Sequence, residues 1–171
     1  IKEAFLHAWE SRPHRAEPLY EISRGYRAQG KPKLAYLYAR QGLTIQYPQH
    51  DILFLAQDVY DWRMMDEFSA VAFYMNDFVT GFNVTKKLLE DNKFPDSERA
   101  RIEENYAAYH NQLARMEQEQ QLRQETARAA QKHMELEKKL EKRKEKKEKQ
   151  NKEKKGTKVK DNKAGFKKRK K

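Results

Sequence analysis

The stretch LYEISRGYRAQGKPKLAYLYARQG, Leu19 to Gly42, decides the fold. Its large apolar residues Leu19, Ile22 and Tyr26 recur at three- and four-residue steps, the period of one helix face. Pro18 sits just ahead of them, in a first turn where a missing N–H costs nothing. Gly30 stops the helix as a C-cap glycine does. Pro32 opens a second helix to about Leu43, whose inward positions are read as Leu34, Ala35, Tyr38 and Ala39. The spacing therefore predicts two antiparallel helices about a tight turn.

The pattern returns forty-six residues later in MDEFSAVAFYMNDFVTGFNVTKKL, Met65 to Leu88. A tetratricopeptide unit places large, small, turn and small residues at fixed offsets. Leu19, Ile22, Ser23, Tyr26, Gly30, Ala35, Ala39 and Gly42 fill eight of them in order. Met65, Phe68, Ser69, Ala72, Asn76, Gly81, Thr85 and Leu88 fill them again. A lone hairpin cannot bury its apolar side, so neighbours stack, and stacked hairpins are surfaces for binding or support more than places of bond cleavage. The alternative is an unrelated helical bundle. The long period is expected to hold an additional helix, about Ile52–Trp62, either separate or continuing with a kink into Met65–Met75.

Outward from the hairpins, residues 3–11 are predicted as a helix with Ala4, Phe5, Ala8 and Trp9 on one face, closed by Pro13. Asn76-Asp77 is a turn, Phe78–Leu89 a helix, and Lys93–Asp96 a loop. A long helix is expected from Ser97. Its seam Ile102, Tyr106, Tyr109, Leu113, Met116 is heptad-like, and serves either to dock on the body, ending near Met116, or to form a coiled-coil oligomer through residues 99–116. Ala127, Ala130 and Met134 resume it weakly. Beyond Leu140 the chain is nearly all Lys and Glu, a composition that i,i+4 pairs hold as a solvated helix. After Gly156 disorder is expected. The predicted architecture is all-α: a helical repeat-like domain over 1–118, an extended charged helix over 119–155 and a disordered basic tail over 156–171.

The net charge of +11 is uneven: residues 131–171 carry twenty Lys or Arg against seven acids, and the remainder is slightly acidic. Any polyanion binding must rest on a local patch or on the tail, ending in Lys167, Lys168, Arg169, Lys170 and Lys171, where it would be salt-sensitive and sequence-blind. The same run reads as a nuclear-import address, an anionic-lipid contact, or simply a solubilising end. With Phe166 its only aromatic, base stacking is not indicated.

The chain has no cysteine, which fits a reducing, cytoplasmic setting and excludes disulfides. No apolar run is long enough to span a bilayer, and the opening residues do not form a signal peptide. Ile1 stands where Met would begin a reading frame, so a piece of a longer protein is expected. The five histidines are scattered, without HExxH, and phosphate-loop glycines and GxSxG elbows are absent. No cofactor and no catalytic residue are read from this chain. Asp58 and Asp61 lie three apart but lack a third ligand at helical spacing, so no metal is assigned. The sequon at Asn83 falls inside a predicted helix.

If the first helix of each hairpin lines an inner surface, its open positions are Glu17, Tyr20, Arg24, Arg27, Arg63, Asp66 and Tyr74. Of these Tyr20, Arg24, Arg27, Arg63 and Tyr74 are the candidate binding residues. Arg24 and Arg27, one turn apart, could grip a carboxylate or phosphate; alternatively they pair with Glu17, Glu21 or a neighbouring helix. Arg12, His14 and Arg15 form an anion site or a knot with Glu10 and Glu17.

Three segments also resemble a known family. Arg12, Pro13, Arg15, Ala16, Glu17, Leu19 and Tyr20 form the first. Pro48, Asp51, Leu53, Phe54, Val59, Tyr60, Asp61 and Trp62 form the second, and Arg101, Ile102, Glu103 and Asn105 the third. Their order and identity are similar to the tetratricopeptide-like helical region that follows the catalytic domain in family 2-type glycosyltransferases of bacteria and large DNA viruses. The resemblance covers about residues 4–109. It implies a non-catalytic helical region that supports an upstream catalytic domain or holds an acceptor or partner. Sugar transfer from a nucleotide-sugar donor, through an Asp-x-Asp metal site, would belong to that upstream α/β domain. The Lys-rich tail departs from the family pattern. The competing expectation is an independent protein–protein scaffold whose groove takes a peptide and whose tail binds nucleic acid or another polyanion.

Overall fold

A computed structural model describes the backbone of residues 2–51 and 54–167. The protein is all-α, without a strand among the described residues. The helices are α1 (Lys2–Ser11), α2 (Glu17–Ala28), α3 (Pro32–Gly42), α4 (Met64–Ala72), α5 (Phe78–Asp91) and α6 (Asp96–Lys167), with a π-helical segment at Val59–Arg63 leading into α4 and a 3₁₀ turn at Phe73–Met75. The chain divides into two units, Ile1–Glu117 and Gln118–Lys171.

In the first unit, α2 and α3 fold back on each other, as do α4 and α5, and α3 also packs on α4. The repeat in sequence is a repeat in burial. Leu19, Ile22, Ser23, Ala35, Ala39 and Gly42 are buried in the first hairpin; Met65, Phe68, Ser69, Ala72, Gly81, Thr85 and Leu88 are buried in the second. The turn offset is left-handed in both, at Gly30 (φ 67°) and Asn76 (φ 57°). A third left-handed residue, Asn92 (φ 48°), ends α5. Asparagine tolerates this region better than other non-glycine residues.

Small residues allow close approach. A Cβ on Gly81 would stand 2.3–2.4 Å from the ring and hydroxyl of Tyr109. Tyr109 is fully buried, and its hydroxyl donates to the Ser69 carbonyl at 2.5 Å. Ile102 is also fully buried, in a cluster with Met65, Leu88 and Phe94, while Phe82 stacks on Tyr106. The seam from Ile102 to Tyr109 is therefore turned inward on the body and is not free to form the coiled coil expected through 99–116, while Met116 at its end is exposed. Docking fades across Leu113 and Ala114, and every described side chain from Arg115 to Lys147 is exposed.

Several expected details are corrected. On α1 the packed side chains are Phe5, Leu6 and Trp9, while Ala4 and Ala8 are exposed. On α3 Leu34 is exposed, because the glycine-closed turn rotates Ala35 and Ala39 onto α2 and α4. Of the helix expected over Ile52–Trp62, residues 54–56 are irregular, and the helical backbone starts at Gln57 and runs through the π-helical segment into α4. Ile52 and Leu53 lie outside the described residues. The helical backbone of α6 passes Gly156 and reaches Lys167, where an irregular tail was expected. Lys is a good helix former, and an exposed helix tolerates one glycine at about 1 kcal/mol.

Candidate functional site

The inner end of the first hairpin, the second hairpin's first helix and the start of α6 enclose a cavity of about 580 Å³. It is lined by Arg27, Gly30, Pro32, Ala70, Tyr74, Arg101 and Asn105. A smaller recess of about 170 Å³ shares Ala70, Tyr74 and Asn105 with it and reaches Tyr109.

Each wall is held by a carboxylate. Arg27 Nε donates to both Glu67 oxygens at 3.0 Å, and Nη2 lies 2.9 Å from Oε2. Glu67 is buried and also meets the Ser23 hydroxyl at 3.1 Å. The hydrogen bonds to Glu67 hold the Arg27 guanidinium above its ordinary pKa, against an opposing effect of burial. Arg101 makes a two-pronged contact with Asp66, 2.9 Å on each prong, and also reaches Glu98 at 2.8 Å. Both arginines remain half-exposed toward the cavity. The Asn105 amide has no protein partner among the described residues, and Tyr74 exposes most of its ring.

Two arginines facing Glu67, Asp66 and Glu98 leave no positive excess. The site is thus poorly suited to a free anion. It offers oriented N–H donors, an amide and an aromatic face over a floor of Ala70, Pro32 and Gly30. This chemistry fits a neutral ligand with several hydrogen-bond acceptors.

Of the sequence candidates, the structure brings Arg27 and Tyr74 together there. Tyr20 is buried beneath Arg24, whose guanidinium carbon lies 5.6 Å from the ring centre, and Arg24 pairs with Glu21 at 3.2 Å. Arg24 and Arg27 thus hold separate carboxylates and do not form one grip. Arg63 pairs with Asp58 at 2.8 Å and lies over Trp62, away from the cavity lining. The backbone of Lys167 ends α6; Lys168, Arg169, Lys170 and Lys171 lie outside the described residues. Arg101 and Asn105, one turn apart on α6, complete the site. Their signal in the sequence was the Arg-Ile-Glu-x-Asn segment itself. Glu67 had another: a single acid on the apolar face of α4.

The other motifs are spent on architecture. Asp51 takes Arg12 at 3.4 Å and His14 at 3.2 Å, so the basic knot pairs with Asp51 and Glu17, while Glu10 meets His7. Glu17 receives Arg15 at 2.9 Å, the Tyr60 hydroxyl at 2.6 Å and the Ala56 N–H at 3.3 Å. Asp58 and Asp61 serve different cations, Arg63 and Lys93. Among the described residues no group of three His, Cys, Asp or Glu is placed to hold a metal, and no helix is long and apolar enough to cross a membrane. The sequon's Thr85 is buried against Ser69. A second cavity of about 420 Å³, unforeseen from sequence, has an apolar wall of Leu43, Ile45, Met64 and Met65 and a rim carrying the Asp61–Lys93 pair.

Comparison with family models, curated proteins and solved structures gives no match.

Proposed function

We propose that this chain is the non-catalytic helical region of a glycosyltransferase, and that the groove between α2, α4 and α6 holds an acceptor or partner for a catalytic domain outside it. The observation that carries this is the convergence of Arg27, Tyr74, Arg101 and Asn105 on one open cavity. Two of these four belong to the segments of family resemblance. The other resembling residues tie the scaffold together, as expected for a supporting region: Arg15, Glu17 and Tyr60 form one network and Asp51 closes the loop above it.

The test has two arms. The coding sequence preceding Ile1 should specify alternating strands and helices with an Asp-x-Asp. In the whole protein, Tyr74→Ala with Asn105→Ala should raise the acceptor KM and leave nucleotide-sugar turnover to water unchanged. An unrelated upstream sequence, or consumption of a sugar nucleotide by residues 1–171 alone, overturns the proposal.

A second proposal is favoured by the balance of +13 on residues 131–171. Here the body is a protein–protein scaffold and the tail binds nucleic acid or another polyanion through counterion release. Binding to unrelated RNA and DNA should then fall steeply with salt, vanish on deleting 138–171 and survive Arg24→Ala and Arg27→Ala. Equal affinity with and without the tail refutes it.

A further inference from the structure

We infer that α6 pairs with α6 of a second copy of this chain, antiparallel, through residues 119–143. All described side chains in this stretch are exposed, including Leu122 (61%), Leu136 (58%) and Leu140 (48%). Leu122, Thr126, Ala129, His133, Leu136 and Leu140 follow one another at steps of four and three, so they lie on one stripe of the helix. The stripe is offset by one residue from the inward seam of Ile102 and Tyr109. Two successive three-residue steps, Met116 to Glu119 to Leu122, produce that offset. Its polar members are already satisfied locally. The Thr126 hydroxyl donates within the helix to the Leu122 and Arg123 carbonyls, at 3.0 and 2.9 Å, and His133 leans on Glu137 at 3.6 Å.

Charge selects the occupant and its direction. An antiparallel pair centred on Gln131 sets Leu122 against Leu140 of the second copy, Thr126 against Leu136, and Ala129 against His133. The next layer outward sets Glu119 against Arg143. On the flanks Arg123 faces Glu137 of the second copy and Glu125 faces Lys139. The twofold axis repeats each of these attractive pairs. The one like-charged meeting is Lys132 with its own symmetry mate. A parallel pair would gain only Lys132 with Glu137. It would place Lys139 beside Lys144 and run residues 141–155, nine Lys or Arg against four Glu, alongside themselves. The stripe is thus self-complementary in one orientation, as an isologous twofold contact requires.

The absence of cysteine gives a clean background for the test. In the antiparallel pair the two copies of residue 130 adjoin, whereas the two copies of residue 122 stand about 27 Å apart along the axis. Under mild oxidation the full chain carrying Ala130→Cys should form a disulfide-linked dimer, and the chain carrying Leu122→Cys should not. The unmodified chain should show a mass rising from monomer to dimer with concentration in sedimentation equilibrium at moderate salt. Leu136→Lys with Leu140→Lys should weaken association at least about a hundredfold. Glu125→Lys should weaken it, and Lys139→Glu in the same chain should restore it. Cross-linking at 122 in place of 130 overturns the antiparallel arrangement. A monomer mass at every concentration overturns the pairing and leaves the stripe to a different partner.

Discussion

Arg27 closes over Glu67: one guanidinium edge meets both oxygens of a carboxylate that is only 3% exposed. The contact joins α2 to α4 and forms one wall of the groove. Arg27→Met would leave the acid with Ser23 alone. A loss of about 2–3 kcal/mol is expected in urea unfolding. The double variant Arg27→Met, Glu67→Met should lose less than the single one, because no charge then stays buried without a partner. Equal losses would show that the contact is only packing.

Gly81 and Gly42 make opposite predictions although both are buried and helical. A methyl at 81 would strike the locked Tyr109 ring, whereas one at 42 would strike the flexible end of Met64. Gly81→Ala should cost about 1–3 kcal/mol or more. Gly42→Ala should cost less, because Met64 can move and alanine favours helix by about 1 kcal/mol. Thermal melts of the two variants check the order.

Acid should loosen the base of the first hairpin. Burial pushes the Glu17 carboxyl up, but hydrogen bonds from Arg15, Tyr60 and the Ala56 N–H outweigh it and hold the carboxyl below its ordinary 4.5. Asp77 is likewise held below 3.8, where burial is outweighed by hydrogen bonds from Tyr36 and Thr80. A carboxyl whose folded pKa is depressed stabilises above its unfolded pKa, and that stability is lost as pH falls through the folded value. Stability should be flat near neutrality and decline below about pH 4.5. Glu17→Gln should lower the neutral plateau and flatten part of the acid slope. An unchanged slope would exclude Glu17 as a source.

Arg101 and Asp66 fix the start of α6 against α4. Asp66→Asn keeps the shape and removes one charge, so amide exchange at Ile102–Tyr109 should accelerate several-fold while α2 and α3 keep their protection. Uniform acceleration throughout the body would show that docking of α6 is not separable from the rest.

The hairpins were legible because their signals are local. Pro18, Gly30, Pro32 and Asn76 fix helix ends by backbone chemistry alone, and the eight offsets of each unit name the buried face. The groove was half legible. Tyr74 and Arg27 follow from the helix register, but Asn105 and Arg101 join them through the docking of α6, by Tyr109 on Gly81, Ile102 against Met65 and Leu88, and Arg101 on Asp66, which pairs residues no periodicity matches. Charge pairing was the least visible. Arg12 and His14 find Asp51 from almost forty positions away, and the basic knot looked equally able to use Glu10. The π-helical segment at Val59–Arg63 was missed because an added residue in a turn leaves composition unchanged.

Gly30, Asn76 and Asn92 carry a consequence for how the body assembles. Each reversal is dictated by a residue beside it, so each pair of helices can meet before distant parts of the chain have found one another. Contacts across these reversals should form early, ahead of those such as Arg27–Glu67 and Tyr109–Ser69 that join residues forty apart. Placing a β-branched residue at one of these three points should slow that first step.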